Sequence, residues 1–449
     1  MDGFLFEKGL PESEAKRLIG GGKPRLRSPF RGQVEMHYLA LDELLEEDHR
    51  ARFVWSSVAE LPLDRWLSEV KAVEGGVGRD ATDPRLLLAL WVLATLEGVG
   101  SARELARLCE KHLTYLWLCG GVTVNYHLLA DFRSQHGEKL DDLLTRLVAS
   151  LLETGEVTMQ RVAQDGMRVR ASAGKSSFKR PTRLQECLEA AREQVQELKR
   201  LAEESPQELN ARKLAARKRA ARERVEKFER ALQQCEELQE QREATARKSG
   251  RTPQEPRAST TDPEARVMQF ADGGYRPGYN VQFSGDTATG IIAGVEVVNA
   301  GSDQGQLPPM LDQLHDRYKR VPEEALVDGG FASLDAINEA EKQGCRVYAP
   351  LKDETKQLQA GRDPYARKPG DSDAVAAWRA RMGTDDGKNA YKQRSQTAEW
   401  INALARNRGL RQMPLRGLSA CRSVALLYAL THNLAQLLHL RSRTSQAAS

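Results

Sequence analysis

The stretch QDGMRVRASAGKSS, residues 164–177, admits two architectures. Its tail, Gly174-Lys175-Ser176, is how a phosphate-cradling loop ends; its head sets a carboxylate, Asp165, on an alternating run, where a sheet enzyme hangs a metal ion. A phosphate loop needs GxxxxGK[ST], because its first glycine makes the tight turn that aims backbone N–H groups at the phosphates. That glycine would fall at position 169, which is Val169, and the loop leads into the basic SSFKRPTR rather than an apolar-faced helix. The strand reading is preferred. Val157, Met159, Ala163, Asp165, Met167, Val169 and Ala171 share one parity, as one face of a strand does, with Arg161 interrupting the set. Asp165 therefore points with core residues and is expected to end its segment beside Gly166, a costly place for an unpaired charge.

Further along, Asp328 closes the apolar run ALV and is followed by Gly329-Gly330, so it too is expected at a strand's C-terminal edge. Asp272 in ADGGY repeats the pattern of VDGGF around Asp328, but Pro277-Gly278 follow it and it reads as a turn residue. Glu399 lies in a helix rich in polar and basic residues. Each acid has an ordinary alternative: the aspartates as turn caps, the glutamate as a surface residue. Together, two strands and one helix offer the small carboxylate set that two magnesium ions roughly 3.5–4 Å apart require, with positions left for water and phosphate oxygens.

The 449 residues suffice for two or three domains, and a 40% apolar share is ordinary for a globular chain. LLLALWVLATL at 86–96 is too short to span a bilayer and reads as a buried helix. The N-terminus lacks a basic-then-apolar leader, so no export is expected. Six scattered cysteines without CxxC suit a reducing cytosol and argue against zinc. The net charge of +4 announces no nucleic-acid binder, but basic clusters stand at 23–27, 212–224 and 406–416; singly, such runs are usually solvated faces.

Residues 83–155 read as helices: Asp83-Pro84 is a cap and N1 proline, Ser101–Glu104 a capping box, and Asn125 a third cap. This fits a helix-turn-helix-like unit, or equally a small bundle that touches no DNA. Leu184, Leu188, Ala191, Val195 and Leu198 make one heptad seam; Leu214, Ala221, Val225, Phe228, Leu232 and Cys235 make another, with Lys218 on a seam position. Ser205-Pro206 between them suggests an antiparallel hairpin, the alternative being an intermolecular coiled coil. Strands are expected at 279–283, 291–298, within EALVDGG at 324–330 and at 345–350, helices between and after them, and a polar stretch up to Lys388. The fold class is α/β: a mixed sheet with a helical hairpin inserted after its first strand, preceded by an all-α domain.

QDGMRVRASAG, GYNVQF, TGIIAGVEVVNAGSDQGQLPPM, ALVDGGF and YKQRSQTAEWINALARNRGLRQMPLRGL together resemble the DDE transposases of bacterial insertion sequences, in the eleven-eighty-two group. LDELLEEDHRARFVW and residues 83–121 resemble the InsH-type N-terminal domain of the same proteins; the likeness runs from about residue 32 to about residue 440. It implies a ribonuclease-H-like catalytic domain at 156–441, carrying the hairpin at 178–250, after a helical DNA-binding domain at 1–155 and before a disordered tail at 442–449. It implies that Asp165, Asp328 and Glu399 hold two Mg2+ or Mn2+ ions for cleavage and strand transfer on double-stranded DNA. A homodimer on DNA in the bacterial cytoplasm, associated with the nucleoid when bound, is expected. The alternatives are a non-catalytic DNA-binding regulator derived from a transposase and a general metal-dependent nuclease on the same fold.

The family's signature is Tyr, two residues, Arg, three residues, Glu, six residues, Lys or Arg. Tyr391, Arg394, Glu399 and Arg406 follow it, except that four residues separate Arg394 from Glu399. At about 100° per residue, a five-step offset turns Arg394 away from Glu399, whereas seven steps bring Arg406 back. Arg406 is therefore preferred over Arg394 as a phosphate contact, with Tyr391, Arg408 and Arg411 as further DNA-binding candidates and Arg416 extending the basic edge.

Overall fold

The computed structural model describes residues 32, 40–73, 79–204, 211–250 and 252–448. The basic cluster at 23–27 and the Ser205-Pro206 break lie outside them. Residues 44–448 form one compact unit.

Among the described residues seven α-helices precede the sheet: α1 (Arg50–Ala59), α2 (Asp64–Leu67), α3 (Pro84–Leu96), α4 (Ala102–Lys111), α5 (Leu113–Cys119), α6 (Tyr126–Gln135) and α7 (Gly137–Glu153). The three caps act as their chemistry dictates: Asp83, Ser101 and Asn125 accept from the backbone N–H groups of Arg85, Glu104 and Leu128. α3 is apolar all round, so it can only sit in the interior, and every residue from Leu86 to Ala94 is buried.

β1 (Arg161–Arg170) is the central strand, followed by β2 (Phe178–Lys179). The hairpin comes next, α8 (Pro181–Glu204) and α9 (Ala211–Ser249), and then β3 (Ala258–Ser259), β4 (Arg266–Gln269), β5 (Tyr275–Asp286) and β6 (Ile292–Val298). Arg192 pairs with Glu229 at 2.8 Å and Arg224 with Gln194 at 2.6 Å, so α8 and α9 run antiparallel. Their foot has a small core of its own, Leu184, Ala231, Cys235 and Ala258, and is closed by the antiparallel β2–β3 pair. The chain then continues through α10 (Leu307–Tyr318), β7 (Glu324–Leu326), α11 (Leu334–Lys342), β8 (Arg346–Tyr348), α12 (Glu354–Gln359), α13 (Asp373–Gly383), α14 (Asp385–Arg394), a π-helical turn (Ser395–Glu399), α15 (Trp400–Asn407) and α16 (Leu418–Ala448). The segment expected to be merely polar up to Lys388 thus contains α12, α13 and the start of α14.

The large sheet runs β4-β5-β1-β7-β8, with β6 also on β5. β1 is antiparallel to β5 and parallel to β7, and β7 is parallel to β8. α16 lies against β6 on one side and α3, α6 and α7 on the other, so the N-terminal helices and the sheet share one hydrophobic core. The division expected near residue 155 is a change of secondary structure within one unit. The disordered tail expected at 442–449 is also corrected, since α16 continues to Ala448. Among the described residues no helix is long and apolar enough to cross a membrane.

His432 on α16 shows how dry this shared core is. Its Nε2 meets the Gly290 carbonyl at 3.0 Å, its ring stacks edge-on to Trp400, and burial pulls its pKa down to about 4. The unfolded chain therefore binds a proton below about pH 6.5 that the folded chain refuses until about pH 4. Stability is full above that window and falls as pH drops through it. Denaturant titrations at pH 6.5 and 4.5 should show the wild type losing about 2 kcal/mol more than His432→Gln; equal losses would exclude a neutral buried imidazole.

Candidate active site

The parallel register fixes two of the acids. Ala163 on β1 stands opposite Leu326 on β7, the last residue of that strand, so two residues on, Asp165 and Asp328 emerge level with each other. β1 itself does not end at Asp165, as the sequence suggested; it continues to Arg170, held by β5 on its other side. Near its end a different segment takes up the β7 side, with Met413 N–H donating to the Arg170 carbonyl and Arg170 N–H to the Arg411 carbonyl. Asp165 lies in the interval between these two partners. Asn402 on α15 reaches into it and donates through Nδ2 to Asp165 Oδ2 at 2.9 Å. Asp328 is held by the Gly330 N–H on its Oδ1 at 2.7 Å.

The third acid arrives through the π turn. In an α-helix residues five apart face away from each other, but a turn closed by i→i+5 bonds brings them level. Ser395–Glu399 is such a turn, and it absorbs the extra residue between Arg394 and Glu399. Arg394 consequently faces the acids, which corrects the expectation from regular helical spacing. Its Nη1 is 2.9 Å from Glu399 Oε1; its Nη2 is 3.2 Å from Asp165 Oδ1 and 4.0 Å from Asp328 Oδ2. The side chains of Arg394 and Asp165 are 11% and 17% exposed, those of Asp328 and Glu399 39% and 57%, so the guanidinium is the enclosed centre and the outer acids open to solvent.

Burial pushes the Asp165 carboxyl up from its ordinary range; Arg394 opposes this, and Asp328 and Asp303 add to it. Burial works against the Arg394 charge, but Asp165, Tyr391, Asp328 and Glu399 outweigh it, and the net shift is upward. Tyr391, half-buried beside this cluster, is raised by burial and, against Arg394, by Asp328, Glu399 and Asp165. Among the described residues no group of three or more His, Cys, Asp and Glu side chains is disposed to hold a metal ion; the acids surround a guanidinium instead. The donor set nevertheless fits a hard divalent cation, being all carboxylate oxygen, and positive charge is already drawn to its centre.

The remaining basic candidates separate. Arg406 is exposed and shares an open cleft of about 400 Å³ with Gly166, Arg168 and Phe270. Arg411 is exposed, with Nε bonded to the Arg406 carbonyl at 3.0 Å. Arg408 instead is half-buried and lines a small cavity with Trp91, Gly98 and Tyr428, which sets it apart from the exposed basic edge. Asp272 is bound to Arg276 at 2.6 Å and accepts from Gly274 N–H, the turn role expected of it.

Two residues were missed. Asn402 stands three positions after Glu399, a helical neighbour that its spacing could have revealed. Asp303 is buried under β1, where Arg168, Asn280 and Gln282 all bind it at 2.7–2.8 Å. No local signal marks it. This cluster explains Gly166: a Cβ there would stand 2.0 Å from Asp303 Oδ1 and 2.4 Å from Gln282 Nε2. Gly166→Ala should destabilise the protein by about 1–3 kcal/mol, read from chemical denaturation; an unchanged midpoint would contradict this packing.

Two families match the chain. Residues 39–135 match a transposase domain (DUF772), and residues 341–438 match a transposase DDE domain. No curated protein and no solved structure matches it. The two matches define the class, a transposase, the protein that moves a mobile element. Within that class the two matched domains support a DDE transposase of an insertion sequence.

Proposed function

We propose that this transposase binds transposon-end DNA and cleaves and joins strands by metal-dependent in-line phosphoryl transfer on a ribonuclease-H-like sheet. The observation that carries the reading is the meeting of Asp165, Asp328 and Glu399 around one positive charge. The strand order, with a central β1 flanked by an antiparallel meander and two parallel strands, agrees with it.

Asp165, Asp328 and Glu399 are the residues that would hold two Mg2+ or Mn2+ ions, which when bound supply Lewis acidity and charge neutralisation to the attacked phosphate. The chain's own contribution is positioning. Asn402 locks the Asp165 carboxylate through one oxygen, and the Gly330 N–H orients Asp328. Arg394 balances three acids that would otherwise repel one another. Arg406 presents positive charge along the neighbouring cleft, where a phosphodiester strand would lie, while Arg168 in the same lining is paired with Asp303. Arg411 extends that edge, and Tyr391 lines the site. The N-terminal helices are the candidates for reading the transposon ends, and a homodimer in the bacterial cytoplasm follows from the need to join two ends.

Asp165→Asn should abolish Mg2+-dependent cleavage of an end-containing duplex while its affinity for that duplex stays within about two-fold, since Asn keeps the shape and removes one charge. Wild-type cleavage rates in this variant would refute the catalytic assignment. Equal cleavage by the wild type of duplexes lacking the ends would indicate a general nuclease, and no cleavage of any duplex a regulator.

A further inference from the structure

The Gly174-Lys175-Ser176 sequence fails as a nucleotide loop, yet the fold puts it at the rim of a groove of about 570 Å³ at the foot of the inserted hairpin. Four separate segments bring cations there: Lys175 from the turn before β2 and Arg180 from the start of α8, Arg242 from α9, Arg257 from the return linker, and Arg266 from β4. One carboxylate, Glu255, shares the lining and is held by Arg180 at 3.0 Å.

Two of the five cations have structural work. Arg266 donates to the Pro263 and Ala265 carbonyls, and Arg242 to the Gln254 and Glu255 carbonyls, pinning the linker to α9. Lys175 and Arg257 are exposed, and their side chains have no hydrogen-bond or ion-pair partner among the described residues. Like charges converging on a concave surface repel, and such a cleft focuses a positive field that an anion relieves. Phe178, half-buried in the wall, gives the groove an apolar floor.

Its position selects the anion. Arg266 is level with Gly278, which is level with Arg170 on β1, five residues beyond Asp165. Two strand spacings across and five residues along amount to roughly 20 Å, or about six base pairs at 3.4 Å each. We propose that this groove is a second DNA contact, built by the inserted hairpin, which grips the backbone phosphates of the duplex about six base pairs from the strand held at Asp165. The inference rests on the DNA-transposase reading but uses none of its catalytic residues.

Fluorescence anisotropy of the full chain with an end-containing duplex, over a range of salt, tests it. Lys175→Gln/Arg257→Gln should bind about ten-fold more weakly than the wild type and lower the slope of log affinity against log salt by about two, one for each phosphate left without its cation. Arg320→Gln/Arg362→Gln removes the same charge elsewhere on the surface and should change neither, and matching thermal melts would show that both variants fold. If the wild type binds and the groove variant behaves like this control, the groove proposal is wrong while the DNA-transposase reading stands. If inorganic phosphate raises the wild-type melting temperature but the groove variant keeps full duplex affinity, the groove is a free-phosphate site and the proposal is equally overturned. A wild type that binds no duplex at any salt would refute both.

Discussion

One guanidinium makes the site possible. Asp165, Asp328 and Glu399 come from a strand, a strand exit and a helix, and nothing in their own elements favours bringing three negative charges together. Arg394 touches all three, and it does so because a single π turn lifts Glu399 onto its face. An α-helical Ser395–Glu399 would leave Glu399 pointing elsewhere and the two aspartates facing a half-buried cation alone. The departure from regular helical geometry is thus tied to the charge balance of the cluster.

Much of this was legible in the sequence because it is local. The caps at Asp83, Ser101 and Asn125, the seams of the hairpin and the apolar helix at 84–96 all follow from spacing, since capping and burial are decided within a few residues. The three acids were legible as residues, and the register of β1 with β7 makes two of them level. Arg394 was misread because 3.6 residues per turn does not hold through a segment whose extra residue is taken up by a wider turn. Arg408 was grouped with its basic neighbours, but its environment is set by Trp91 and Tyr428, remote in sequence. Asp303 was invisible for the same reason: only the folded sheet shows that Gly166 makes room for it.

The change of periodicity near residue 155 falls inside one compact unit, and the cause is physical. A change from helical to alternating periodicity marks where one kind of element gives way to another, but domain independence depends on whether each side can bury its own apolar face. α3 is apolar all round and α16 is buried without a break from Ser423 to Leu434, so neither helical layer closes without the other. The N-terminal helices are therefore part of the body that carries the acids. The Gly98 turn between α3 and α4 packs directly against Arg408 and Gly409 at the end of α15, which gives whatever these helices bind a rigid connection to the helix bearing Glu399 and Asn402.

The hairpin is attached in the opposite manner. Its helices have a small core that does not merge with the main one, and the two-residue strands β2 and β3 clip its ends together. Because chain exit and return are paired at one point, the insertion imposes little closure constraint on β1 or β5, whose register through Asp165 remains continuous. An arm joined this way can vary in length without moving the acids. What it cannot do without consequence is change its foot, where Arg242 fastens the return linker and Lys175 and Arg257 are left facing outward. The charge that stays unneutralised is thus concentrated at the arm's one fixed point relative to Asp165, where a contact made by the arm holds a constant distance from the chemistry.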